Sequence, residues 1–458
     1  MPSEIRQEYY NDNYYRVLTE AQNYLSTHYA DLFSKKFMDF QDREQRLKIK
    51  GYIAQYVTEN NVTVRNVPNR KILTDLLYKD MVGYSCLTDE IADVKNQNEE
   101  IDINSWDDCE VIRRDGTREK IPHFCNPDHA LDVIERMSHY SGRKIDEATP
   151  MVEGNLAGNT RFVAMKAPVI SDNAGVSASI RIVRPANFER KFFIENGTIR
   201  EEQLRLLELA LKYGISTLYI GETSSGKTTL LNAVASSLPY FYRIYTIETG
   251  SRELDLVKRD KDGHIVNSVV STMSRPSTDP AQNIDQTDLV EKALRFNPDV
   301  VIVGEMRGDE SAAAVEVALT DHTVTSSLHA PNAELAHIRI SQLYNKKYRI
   351  DTNVATQMAA EAFPLVVTLK RLADKRRHLM NITECLTSGL NTRKYHTIYQ
   401  YHVLSNTADS KTGSVHVKGI ESFSPPSDRL IQKMKDSGML DSELKSLGKM
   451  LEEEKQVS

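Results

Sequence analysis

From about residue 200 the chain alternates amphipathic stretches with short, wholly apolar runs. Leu204, Leu207 and Leu211 recur at helical spacing along 201–213, so that stretch is expected to be a helix with one apolar face. Apolar runs at 217–220, 242–247, 300–303 and 324–327 are too short for buried helices and read as strands, with a further helix at 228–237. Strands alternating with helices imply a parallel sheet covered on both faces.

The pattern is different before residue 200. Residues 1–64 mix aromatics with charges (Tyr9, Tyr10, Tyr14, Tyr15, Phe33, Phe37, Phe40) and read as a helical N-terminal extension. Residues 65–185 read as a smaller α+β domain. Glu110 to Gly116 is a strand running into an Asp-Gly turn, and 129–140 carries Leu131, Ile134 and Met137 at helical spacing. Strands are expected at 161–165 and 179–183, and Pro185 opens a linker at 186–200. An α/β domain then spans 201–400. Residues 401–458 form a charged, helical C-terminal segment, with one tail helix at 427–454.

Composition narrows the class. A chain of 458 residues holds two or three cores, and 40% hydrophobic with 27% charged residues is ordinary for a globular protein. The net charge of −6 argues against a dedicated nucleic-acid binder, whose affinity rests on phosphate neutralisation. The first residues lack the apolar core of a signal peptide, and the longest apolar runs are too short to span a bilayer, so a cytoplasmic location is expected. Cys86, Cys109, Cys125 and Cys385 are scattered with no C-x-x-C pair, as expected of reduced structural thiols.

The chemistry enters with one stretch, Gly221-Glu222-Thr223-Ser224-Ser225-Gly226-Lys227-Thr228, followed by Thr229. It matches the phosphate-loop pattern G-x-x-x-x-G-K-[ST], placed between an expected strand and an expected helix. The glycines let the backbone wrap a phosphate, and the loop N–H groups and the helix N-terminus attract the anion. Lys227 would reach the β- and γ-phosphates, and the Thr228 hydroxyl would ligate Mg²⁺. Hydrolysis further needs carboxylates at neighbouring strand ends, one to hold Mg²⁺ through water and one to orient the attacking water. Glu305 ends the apolar run 300–303 and suits the second task. Glu248 ends 242–247 and suits the first, with Glu253 five residues on.

These residues, in this order, resemble the type II/type IV secretion traffic ATPases, and within them the tight-adherence pilus branch. The phosphate loop comes first. Next comes an acidic box, Ile247-Glu248-Thr249 with Glu253-Leu254, in which Thr249 stands where the family usually has aspartate. Leu294-Arg295-Phe296-Asn297-Pro298-Asp299 runs into Val303-Gly304-Glu305-Met306-Arg307-Gly308-Asp309-Glu310, and a histidine box follows at Thr325-Ser326-Ser327-Leu328-His329-Ala330. The likeness extends to Gly142–Asp146, Asn155–Arg161, Ser179–Arg181, Leu369–Asp374 and Ile382–Glu384, covering roughly residues 70 to 440.

The resemblance implies a RecA-like P-loop domain, a preceding α+β domain linked by a hinge, a homo-hexameric ring, and ATP with Mg²⁺ as cofactors. It implies that Arg161 and Arg181, with Arg184 as a third, close onto phosphate from the N-terminal domain, that His329 senses the γ-phosphate, and that Arg307 contacts phosphate across a subunit boundary or pairs with Glu310. The expected function is an ATP-hydrolysing motor for pilus assembly or export, working with an inner-membrane platform protein. Two alternatives stand beside it: a DNA-conjugation translocation ATPase, and a nucleotide-gated scaffold with weak hydrolysis, which the missing acid at Thr249 suggests.

Overall fold

A computed structural model describes residues 6–29, 43–93, 97–156, 159–183, 189–275, 277, 281–389, 392–409 and 414–451. The fold is mixed α/β, in two compact units, Met1–Arg184 and Pro185–Ser458.

The first unit opens with helices α1 (Asp12–His28), α2 (Arg43–Glu59), α3 (Arg70–Val82) and α4 (Thr88–Ala92). Strands β1 (Asn98–Ser105), β2 (Asp108–Arg113) and β3 (Arg118–Lys120), helix α5 (Pro127–Tyr140), and strands β4 (Met151–Leu156), β5 (Thr160–Lys166) and β6 (Val176–Ile182) follow. The strands form one antiparallel sheet in the order β3-β2-β1-β6-β5-β4. The helical opening shares one core with this sheet: Tyr14, Leu18 and Leu25 of α1 and Leu76 and Leu77 of α3 belong to the same buried cluster as Ile101, Val133 and Ile180. A polar knot sits inside that core. Asp80 on α3 accepts from Tyr14 of α1 and from His129 Nε2 of α5, the latter at 2.7 Å. Burial alone would push Asp80 up, but His129 and the hydroxyls of Ser85 and Tyr14 outweigh it and hold the carboxyl below its ordinary range.

The second unit carries helices α6 (Arg190–Glu195) and α7 (Glu201–Lys212), strand β7 (Thr217–Gly221), helix α8 (Lys227–Ser236), and strands β8 (Arg243–Glu248) and β9 (Ser268–Met273). Helix α9 (Gln286–Ala293), strand β10 (Val300–Val303), helix α10 (Glu310–Leu319), strand β11 (Thr323–Leu328), and helices α11 (Ala333–Tyr348) and α12 (Thr352–Ala362) come next. Strands β12 (Leu365–Arg371), β13 (Arg377–Ser388), β14 (Thr392–Ala408) and β15 (Val415–Phe423) precede the short helices α13 (Asp428–Asp436) and α14 (Asp441–Lys445). The sheet order is β15-β14-β13-β12-β7-β11-β10-β8-β9. Strands from β12 to β9 run parallel, and β13 to β15 are added antiparallel. Two buried clusters cover the sheet, with Leu207, Leu230 and Val234 of the flanking helices in one and Val315, Ala336 and Ala359 in the other.

Three expectations need correction. Residues 401–458 are not a helical segment: β14 runs on to Ala408 and β15 follows, because β-branched and aromatic side chains such as Tyr399, Tyr401, Val415 and Val417 pair well across strands. The tail is not one helix, since Gly438 takes φ +97° just past α13 and ends it. The expected linker 186–200 is in part structured: α6 forms at 190–195 and buries Phe193 in the core of the second unit, while 186–188 lie outside the described residues.

Candidate functional site

Because β7, β8, β10, β11 and β12 are parallel neighbours, their C-terminal ends open on one edge of the sheet. That edge is where α/β sheets bind ligands. It gathers the loop after β7, Glu248 at the end of β8, Glu305 beyond β10 and His329 beyond β11. The strands themselves are buried, so each polar residue that ends one is held on a rigid support.

Gly221 to Gly226 turn the chain from β7 into α8. Gly221 has φ +142°, and a Cβ there would lie 2.1 Å from the carbonyl oxygen of Leu369, so no side chain is tolerated. Ser224 and Gly226 also take positive φ, at +60° and +92°. Ser225 is buried and its hydroxyl donates to the Glu222 carbonyl at 2.8 Å, closing the loop on itself. Lys227 donates to the carbonyls of Glu222 at 2.7 Å and Gly221 at 3.1 Å. Burial lowers its pKa, partly offset by the charge of Glu305. Thr228 and Thr229 stand half-buried in the first turn of α8, and Thr223 is exposed.

Glu305 is held from two sides. Arg307 Nη2 donates to its Oε2 at 2.5 Å. His329 Nε2 approaches Oε1 at 3.3 Å but outside hydrogen-bond geometry, so Oε1 is a solvent-shielded acceptor with no donor. The other ring nitrogen of His329, Nδ1, donates to the Gly221 carbonyl at 3.0 Å. The histidine therefore spans from the phosphate loop to the carboxylate. Glu310 does not pair with the Arg307 side chain. It accepts instead from the backbone N–H groups of Arg307 and Gly308, which leaves the guanidinium to Glu305.

Glu248 is 4% exposed. Its Oε1 accepts from the N–H groups of Glu253 at 2.6 Å and Leu254 at 2.9 Å, while Oε2 is buried without a donor. Burial raises its pKa to about 7, the two N–H groups opposing that shift. Thr249 lies at the same strand end, and its hydroxyl accepts from Ser274 at 3.0 Å. The residues suit a Mg²⁺-nucleotide by their chemistry. A glycine-walled loop, an adjoining lysine, a hydroxyl on Thr228 and two orphaned carboxylate oxygens converge on one edge.

Arg161 and Arg181 lie in the first unit, on β5 and β6. They are direct cross-strand partners, and so share one face of that sheet, flanked by Asn155 and Glu100 in the same row. Arg184 lies outside the described residues. A further contact to the loop comes from the facing ends of β12 and β13, where the Arg371 N–H donates to Glu222 Oε1 at 3.3 Å and Arg377 Nε donates to the Ser224 carbonyl at 3.0 Å; Arg377 belongs to none of the motif segments. Its approach depends on a strand added about 150 residues downstream, which local spacing does not encode.

The sequence profile of the family described as type II/IV secretion system protein matches residues 106–453, about three quarters of the chain. An uncharacterised protein of Methanocaldococcus jannaschii is 31% identical over 201 residues, 44% of this chain and 35% of that protein. The chain thus spans about a third of that relative's length. The conjugal transfer protein TrbB of Rhizobium radiobacter is 25% identical over 253 residues, covering 55% of this chain and 73% of TrbB. Among solved structures, the DotB ATPase of Legionella pneumophila is similar at 21% identity and a TM-score of 0.44, covering 66% of this chain and 77% of that one.

Proposed function

The chain belongs to the type II/IV secretion system protein family, and on that premise we propose that it is an ATP-hydrolysing motor that powers pilus assembly or substrate export. The observation that carries the hydrolytic part is Glu305. A base must stand within hydrogen-bond reach of the attacking water with an oxygen free to accept its proton. Glu305 Oε1 accepts no hydrogen bond, and it lies 3.3 Å from Nε2 of His329, whose Nδ1 donates to the carbonyl of the first loop glycine. Lys227 would leave the loop carbonyls for the β- and γ-phosphates, and the N–H groups of Glu222 to Thr229 would cradle them. Mg²⁺, held by the Thr228 hydroxyl and through water by Glu248, would neutralise phosphate charge. Burial keeps Glu248 only partly ionised near neutral pH, so a bound cation would draw the proton off it.

His329 would report the γ-phosphate to Glu305, because one ring touches both the loop and the base. Arg161 and Arg181 would supply guanidinium forks from the first unit, in keeping with their shared face. The working assembly is a ring of six subunits on an inner-membrane platform protein, and the branch is that of tight-adherence pili. Among the described residues no helix is long and apolar enough to cross a membrane.

A second reading, a nucleotide-gated scaffold, draws on Thr249, a hydroxyl standing where the family usually has an acid. Phosphate release by the purified protein with and without Mg²⁺ decides between them. The motor predicts Mg²⁺-dependent release, and the scaffold predicts binding with none. Light scattering with ATP tests the ring of six, and a salt titration against DNA tests the conjugation alternative.

A further inference from the structure

The end of β12 and the start of β13 meet four residues of the phosphate loop. Leu369 O walls Gly221, Arg371 N–H reaches Glu222, and Arg377 Nε–H donates to the Ser224 carbonyl at 3.0 Å. Arg377 Cδ lies 3.1 Å from where a Cβ on Gly226 would stand, so its stem packs on the face that this glycine leaves bare. The point of attachment is informative. Ser224 is a non-glycine residue at φ +60°, a conformation with a steric cost for a residue that bears a Cβ. Together with Gly226 at φ +92° it gives the loop the left-handed turns that aim backbone N–H groups at an anion. The remaining nitrogens of Arg377 have no protein partner among the described residues, and the side chain is exposed, so it stitches no core. The adjacent Arg376 differs: it is ion-paired to Asp374 at 2.6 Å and does not touch the loop.

We propose that Arg377 is a positioning residue for nucleotide, holding Ser224 in its left-handed conformation so that the N–H cradle is set before the phosphates arrive. The inference rests on the nucleotide-binding reading above and adds a residue that its motifs do not contain. It acts on affinity and not on chemistry, since the contact is to the outer side of the loop and not to Glu305 or His329. It acts equally on ADP and ATP, since the cradle serves the phosphate they share. Losing one charge-assisted donor at an exposed site weakens binding about 5-fold.

The test titrates the full chain with ADP and with a slowly hydrolysed ATP analogue by calorimetry, and measures steady-state hydrolysis. Arg377→Ala removes the donor and the stem. Arg377→Met keeps a stem over Gly226 and removes only the donor, so it holds the test open if alanine disturbs the fold. Arg376→Ala is the control. Both Arg377 variants are expected to bind both nucleotides about 5-fold more weakly and to raise KM by the same factor, with kcat within about twofold and an unchanged melting midpoint without nucleotide. Arg376→Ala is expected to match the wild type. Wild-type affinity in Arg377→Met overturns the proposal, as does a fall in kcat at unchanged affinity. A wild-type protein that binds neither nucleotide overturns the reading beneath it instead, and this inference with it.

Discussion

Glu248 makes the site sensitive to pH in a direction that can be worked out. Its folded pKa is about 7 against an ordinary 4.5. A carboxyl raised in the native state binds more protons folded than unfolded between those values, so stability falls as pH rises from about 4.5 to 7 and stays low above. A difference of about 2.5 pH units corresponds to about 3 kcal/mol, an upper figure for one buried group. Glu248→Gln removes the ionisation and keeps the Oε1 acceptor for the N–H groups of Glu253 and Leu254. The variant is expected to melt higher than wild type at pH 8 without nucleotide or Mg²⁺, by about 2–4 °C per kcal/mol gained. It is expected to melt with the wild type near pH 4.5. Calorimetric scans of both proteins across that range, following the transition of the second unit, provide the assay. Parallel curves, with no pH-dependent gain for the variant, would refute the claim that burial dominates this carboxylate.

The other predictions are more local. Lys227→Ala should abolish nucleotide binding by calorimetry while leaving the melting midpoint without nucleotide within about 1 °C, because only loop carbonyls lose a donor. Gly221→Ala should destabilise the second unit by several degrees and abolish binding, since its Cβ would stand 2.1 Å from Leu369 O. In the first unit, His129→Ala strands the buried carboxyl of Asp80 and should cost about 3–5 kcal/mol in denaturant unfolding, with no direct effect on the phosphate loop.

The parts of this protein visible in its sequence are those written in short, contiguous spacing. The phosphate loop is eight consecutive residues; Glu248 ends its strand, and Glu305 and His329 follow theirs by two positions and one. A parallel sheet then brings them to one edge without further information. Contacts that cross the fold are invisible to such reading. Arg377 meets Ser224 because β12 pairs with β7 and β13 turns back on it, and Tyr14, Asp80 and His129 meet because three helices share a core. Spacing also left two partners open for Arg307: Glu310, three residues on, is taken by backbone N–H groups at the start of α10, and the guanidinium goes to Glu305. The C-terminal ribbon was hidden for another reason, since exposed strands such as 402–408 bury too little to show a clear two-residue period.

Hydrolysis turns on the undonated oxygen of Glu305, which would accept a proton from the attacking water. Phosphate release by Glu305→Gln beside wild type, at saturating ATP and Mg²⁺ and with affinity measured in the same preparations, tests it most directly. ATP binding is expected to be retained and turnover reduced by about 100-fold or more. Turnover equal to wild type would contradict it.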